Sequence, residues 1–192
     1  LDAQSPLKQL DKLKAPVFIV HGEEDERTPL AHAEKLRDTL KARNHPHEWL
    51  VNPKEGHGFY KPENNVELYK QALQFLDKHK VIPHLWQYGH ALTQLLNRKA
   101  QEHGLSQYFK AAGPAANPYY LTTRADGSAS FELRTLFARE MISNGVLMPW
   151  LAFSYRHGDA ELAQTSLALD KAFAVCSTAL RNGLEEALMN EN

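Results

Sequence analysis

Two residues in this 192-residue chain have the types and settings that proton transfer needs. Asp25 ends the run His21-Gly22-Glu23-Glu24-Asp25, and His57 stands between Gly56 and Gly58. A carboxylate beside an imidazole holds the ring in one tautomer and one orientation, as a general base requires. The two glycines let the chain turn sharply and let the ring approach the end of another strand. Spacing alone also allows a plainer arrangement, in which Asp25 caps the next helix and His57 is an ordinary loop histidine. Glu23, Glu24 and Glu26 read as solvated loop charges.

The elements around these residues follow a repeating order. Pro16-Val17-Phe18-Ile19-Val20 is a short, β-branched apolar run that suits a strand buried on both faces of a parallel sheet. Thr28-Pro29 reads as an N-cap followed by Pro at the first helical position. The helix then carries Leu30, Ala33, Leu36 and Leu40 at helical spacing, until Asn44-His45-Pro46 stops it. Glu48-Trp49-Leu50-Val51 makes a second strand and Pro53 to Gly58 a loop. A second helix runs from about Glu63 to His79, with its apolar stripe at Val66, Tyr69, Leu73 and Leu76. Strand, helix, strand, helix is the grammar of an α/β fold, and the carboxyl ends of parallel strands are where catalytic groups collect. Asp25 and His57 both fall just past such ends.

Two segments here, Lys14-Ala15-Pro16-Val17-Phe18-Ile19-Val20-His21-Gly22-Glu23-Glu24-Asp25-Glu26-Arg27-Thr28-Pro29 and Glu55-Gly56-His57-Gly58-Phe59-Tyr60-Lys61-Pro62-Glu63-Asn64, closely resemble the C-terminal part of prolyl oligopeptidase-type serine hydrolases. That resemblance implies the α/β-hydrolase fold and a triad in the order Ser, Asp, His, with Asp25 as its acid and His57 as its base. The nucleophile belongs upstream, on a G-x-S-x-G elbow. No G-x-S-x-G occurs in the chain, and the first eighty residues hold one serine, Ser5, between Gln4 and Pro6. An acid and a base with no nucleophile to activate do not carry out acyl transfer.

Residues 81–192 read differently. Val81 to His103 is a long helix with Leu85, Leu92, Leu95 and Leu96 in one stripe, closed by Gly104. Pro118-Tyr119-Tyr120-Leu121-Thr122-Thr123 has strand composition, and Asp126-Gly127 is a turn signal. Leu133 to Ser143 is helical, Val146-Leu147-Met148 and Phe153-Ser154-Tyr155 read as short strands, and Gly158-Asp159 opens a helix to about Leu180, with Leu162, Leu169, Phe173 and Cys176 inward. The segments Val81-Ile82-Pro83-His84-Leu85-Trp86, Phe137 to Trp150 and Phe153 to Leu162 resemble the C-terminal small domain of class III PLP-dependent aminotransferases, the glutamate-1-semialdehyde aminomutase branch above all. The cofactor lysine of such enzymes lies upstream, and none of Lys99, Lys110 or Lys171 sits in a comparable place. No cofactor residue is assigned and no cofactor is expected. His84, His90, His103 and His157 are too scattered for a metal site. Trp86 and Tyr88 read as core and rim, and Arg134, Arg139 and Arg156 as helix-surface charges.

The fold class expected is therefore α/β: a partial α/β-hydrolase βαβα unit over 1–80, joined near Lys80-Val81 to a small α+β domain over 81–192. Residue usage breaks at the same place. Ten lysines and one serine precede it, and three lysines and seven serines follow. The whole has 22 basic and 23 acidic residues, which gives no electrostatic case for nucleic acid or an anionic membrane as partner. One cysteine forms no internal disulfide. Leu1-Asp2-Ala3-Gln4-Ser5 lacks the regions of a signal peptide and an initiator Met, so the chain reads as starting in mid-protein, and a cytoplasmic location is expected. Two strands do not make a stable sheet, so cover is expected from the second segment, a homo-oligomer or a complementing chain on the exposed sheet edge. The expected function is a composite of two C-terminal enzyme fragments, inactive alone. The alternatives are a hydrolase using Ser154 or another chain's serine, a PLP-binding domain and a non-enzymatic interaction module.

Overall fold

The computed structural model describes residues 6–189; Ser5 and the other residues before Pro6 lie outside them. The chain divides into two compact units, Leu1–Lys80 and Val81–Asn192. Both mix helices with a small sheet, an α/β architecture.

In the first unit a 3-10 helix, Pro6–Lys12, precedes β1 (Val17–Gly22), α1 (Leu30–Ala42), β2 (His47–Asn52) and α2 (Pro62–Lys78). The strands pair in parallel, from Val17 opposite His47 to Gly22 opposite Asn52. Strand alternation sorts the packing. Ile19, Val17 and Trp49 join Leu10, Ala33 and Leu40 on the α1 side, whereas Phe18 faces the other way and stacks on Phe75 of α2 at 5.7 Å. The helices thus cover opposite faces of the sheet. Asn44, in the left-handed region at φ 52°, turns the chain out of α1. The His45 Nε2–H then donates to the Ala15 carbonyl at 2.7 Å, which aligns the starts of the two strands.

Two expectations need correction. Thr28 does not cap α1; the helix starts one residue later than expected, so that Pro29, which has no side-chain acceptor, holds the cap position and no side chain bonds there. Of the stripe foreseen for α2, Leu76 alone is partly buried. Val66, Tyr69 and Leu73 are exposed, and the partly buried side is Leu68, Ala72, Phe75 and Leu76. The helix is apolar on two sides, so periodicity names both and packing selects one.

The second unit runs α3 (Val81–Glu102), β3 (Phe109–Ala112), β4 (Tyr119–Thr122), α4 (Phe131–Ser143), α5 (Asp159–Asn182) and α6 (Leu184–Met189). Its centre is aromatic: Phe137 stacks on Phe173 at 5.3 Å, with Phe109 and Tyr120 against it at 5.0 and 5.3 Å. The strands form an antiparallel pair. The Asn97 amide bonds both the N–H and the C=O of Ala111, at 2.8 and 2.9 Å, along the side of β3 away from β4. Gly89 is required by contact, since a Cβ there would lie 1.7 Å from the Ala115 carbonyl oxygen. The Ser130 hydroxyl caps α4 by accepting the Leu133 amide at 3.2 Å. Val146–Met148 and Phe153–Tyr155, expected as strands, are irregular. Met148 and Leu151 are buried and Phe153 packs on Tyr88, so apolar burial without a pairing partner explains these residue types.

Candidate functional site

The site is built where β1 and β2 end. Past β1 the Glu23 amide bonds the Asn52 carbonyl and the Glu24 amide the Glu55 carbonyl, both at 2.9 Å, which stitches one strand's exit loop to the other's. The backbones meet because residue 22 is glycine: a Cβ there would lie 2.2 Å from the Gly56 carbonyl oxygen. Asp25 then divides its two oxygens. Oδ1 accepts the amides of Arg27 and Thr28 at 2.8 and 2.9 Å, and Oδ2 meets Nδ1 of His57 at 2.9 Å. Asp25 does not cap α1, where no side chain bonds; the turn that fixes Oδ1 is what aims Oδ2 at the imidazole.

The protonation states follow from these contacts. The Thr28 amide, then the His57 ring and the Arg27 amide, hold Asp25 down to about 2, against a smaller opposing effect of burial. An ionised carboxylate only accepts, so Nδ1 of His57 donates to it, and a neutral ring in that tautomer has its lone pair on Nε2. His21 is fixed in the other tautomer: its Nε2–H donates to the Thr28 carbonyl at 2.8 Å and stands 3.9 Å from Asp25 Oδ2. The Asp25 side chain is 7% exposed and that of His57 is 52% exposed. The pair lines a cleft of about 390 Å³ with Val20, Thr28, Phe59 and Leu68. A held acid and an open base suit proton transfer to and from a group entering this cleft.

No serine or cysteine stands among the described residues of this unit. In the second unit the Ser154 hydroxyl lies 3.2 Å from His157 Nδ1, a contact within its own turn. Cys176 is buried, and that burial pushes its thiol up to about 12, far from a thiolate nucleophile.

The second unit's lysines do not fit a PLP site. Lys99 bonds both oxygens of Asp170, at 2.8 and 2.9 Å. Asp170, then Glu102, raises its pKa, the reverse of what Schiff-base formation needs. Lys110 and Lys171 are exposed. The arginines are engaged too: Arg134 lies over the Tyr120 ring and donates to the Pro149 carbonyl, and Arg139 donates to the carbonyls of Ala187 and Leu188. His84 donates from Nε2 to the His157 carbonyl, and His103 meets Asp170 at 3.1 Å. Tyr88 is buried and Trp86 half exposed. A groove of about 470 Å³ along α5 and α6 is lined chiefly by Ala174, Val175, Thr178, Ala179 and Ala187 and holds no acid–base pair. Among the described residues no helix is long and apolar enough to cross a membrane.

Comparison with known proteins gives a family match over the first unit. Residues 1–81 match the prolyl oligopeptidase family of peptidases. The dipeptidyl aminopeptidase BIII of Pseudoxanthomonas mexicana is 38% identical over 65 residues, 34% of this chain and 9% of that protein. The acylamino-acid-releasing enzyme of Rattus norvegicus is 33% identical over 76 residues, 40% of this chain and 10% of its own. The chain thus spans about a tenth of the length of these relatives. A solved structure of the PLP internal aldimine form of the FumI protein from Sphingopyxis sp. MTA144 superposes at a TM-score of 0.49 and 22% identity, over 77% of this chain and 32% of that one. That likeness is too slight to bear on chemistry.

Proposed function

We propose that residues 1–80 are the acid–base end of a serine hydrolase of the prolyl oligopeptidase type, with Asp25 as the orienting acid and His57 as the general base. Residues 81–192 are an aminotransferase-type small domain joined to it at Lys80–Val81, without a cofactor lysine. The observation that carries this reading is the 2.9 Å contact of His57 Nδ1 with an ionised Asp25. That contact leaves Nε2 as the proton acceptor. When a serine from outside these residues reaches Nε2, the imidazole takes its hydroxyl proton as the oxygen attacks a peptide carbonyl. Asp25 stabilises the resulting imidazolium, which returns the proton to the leaving amine. A water attacking the acyl-enzyme repeats the exchange. The names of the matched relatives, which release dipeptides and acylamino acids, make peptides the substrate class of the parent enzyme. With no serine or cysteine among the described residues of its own unit to serve His57, these 192 residues alone do not transfer acyl groups.

The test joins the Pseudoxanthomonas mexicana enzyme, up to the start of its match, to all 192 residues. The expected hybrid hydrolyses a dipeptide arylamide and loses about 10³-fold or more of kcat on His57→Ala. A folded hybrid that is inactive overturns the assignment of His57. Fluorophosphonate labelling of a serine in the 192-residue chain by itself overturns the inactivity of that chain.

A further inference from the structure

Glu55, two residues before His57, is a buried charged residue, at 3% exposure. Among the described residues no cation pairs with it. Instead Oε2 accepts the Tyr60 amide at 3.0 Å, and Oε1 accepts the Lys61 amide at 3.0 Å and the Asn64 side-chain amide at 2.6 Å. Its own carbonyl takes the Glu24 amide from the loop that carries Asp25. One residue therefore touches the acid's loop, the far side of the base's loop and the first turn of α2.

Burying a carboxylate costs free energy that an apolar side chain of the same size would not, so its presence calls for a use. The loop from Glu55 to Lys61 supplies that use. His57 is flanked by glycines, Gly58 at φ +149°, and such a segment has little stiffness of its own. Its shape is set from the ends. Glu55 forms one end and holds the other by the amides of Tyr60 and Lys61. Lys61 is the N-cap of α2, and no side chain of its own caps that helix. Glu55 fills this role from outside, with its charge at the positive end of the helix. The Asn64 amide and then the Tyr60 amide hold the Glu55 carboxyl below the ordinary range, so it stays charged as the fold needs it.

We infer that Glu55 is the positioning residue of this site, the clamp that closes the 55–61 loop on the start of α2 and so holds His57 Nδ1 on Asp25. The inference rests on the reading of His57 as the base. Glu55 touches no reacting atom; it acts through the ring it places. In Glu55→Gln an N–H replaces one acceptor oxygen and faces a backbone or Asn64 donor, so the clamp opens without loss of volume.

The experiment is imidazole NMR on the full chain with 15N-labelled histidine. In the wild type, His57 is expected in the Nδ1–H tautomer, with that proton protected from exchange. In Glu55→Gln its exchange quickens about tenfold or more, while the amides of β1 and β2 keep their protection, which a role in stability alone would not produce. Unchanged His57 exchange overturns the inference. If Glu55→Gln does not fold, Asn64→Ala removes a single donor and decides: faster exchange at His57 supports the clamp and no change overturns it. In the hybrid enzyme, Glu55→Gln is expected to lower kcat per titrated serine about a hundredfold with KM unchanged. An active hybrid indifferent to Glu55→Gln overturns the clamp and leaves His57 as base. An inactive wild-type hybrid with the NMR effect intact overturns the hydrolase reading and leaves the clamp.

Discussion

The two units keep their structure by different means. Among the described residues, Val81–Asn192 packs twenty-one buried side chains around the Phe109, Tyr120, Phe137 and Phe173 rings. Among its described residues Leu1–Lys80 buries four apolar side chains, Leu10, Ile19, Ala33 and Leu40. What the first unit lacks in packing it makes up in directed polar contacts, namely the stitched exit loops, the divided Asp25 carboxylate and the Glu55 clamp. The acid–base pair stands in the unit with the thinner core. Apolar burial is non-directional and gives stability. Directed hydrogen bonds give position, and position is what proton transfer uses.

The largest expected effect is on the aromatic centre. Phe137→Ala should cost about 3–5 kcal/mol in denaturant unfolding read from second-unit amides; a loss under about 1 kcal/mol breaks the contrast, because that unit would then not depend on its core. Next is Leu40→Ala in the first unit, at about 2–3 kcal/mol. With so little other burial, hydrogen exchange should show β1 and β2 unprotected while α3 and α5 stay protected. If both units lose protection together, they unfold as one and the comparison falls.

Acid separates the two kinds of cohesion further. Asp25 titrates at about 2 rather than at its ordinary 3.8, so folding favours its charged form. Its contribution is full above pH 4 and is lost as pH falls through about 2. The protected His57 Nδ1 proton should vanish over that window while the helical circular dichroism of the second unit persists. Loss of the proton signal above pH 5 would show that something other than Asp25 holds the ring. The smallest effect is sought on the outer side of α2, where Leu73→Lys should shift stability by no more than about 0.5 kcal/mol. A loss beyond about 1 kcal/mol would mean that this face is covered in solution and that the first unit's core is larger than four residues.

The sequence was most informative where local rules suffice. The β-branched run at Val17–Val20 and the stop at Asn44-His45-Pro46 depend on near neighbours, and the strand-end logic led to Asp25 and His57. It was least informative where a distant partner decides. Lys110, Ala111 and Ala112 have little strand propensity, and β3 exists because β4 and Asn97 pair with it. Val146–Met148 has the propensity but no partner and stays irregular. Glu55 was passed over because a glutamate in a Pro/Gly/Lys loop reads as solvated. The Asn nine residues on, together with an uncapped Pro-led helix start, was the available signal.

Asn97 has a consequence of its own. By offering one acceptor and one donor to Ala111 it imitates a single residue of a third strand and then ends, since a side chain has no next residue to offer. β3 is thereby closed to strand addition at its midpoint. A second molecule approaching that edge finds the N–H and C=O of Ala111 already taken, so a new strand cannot bond through the middle of β3.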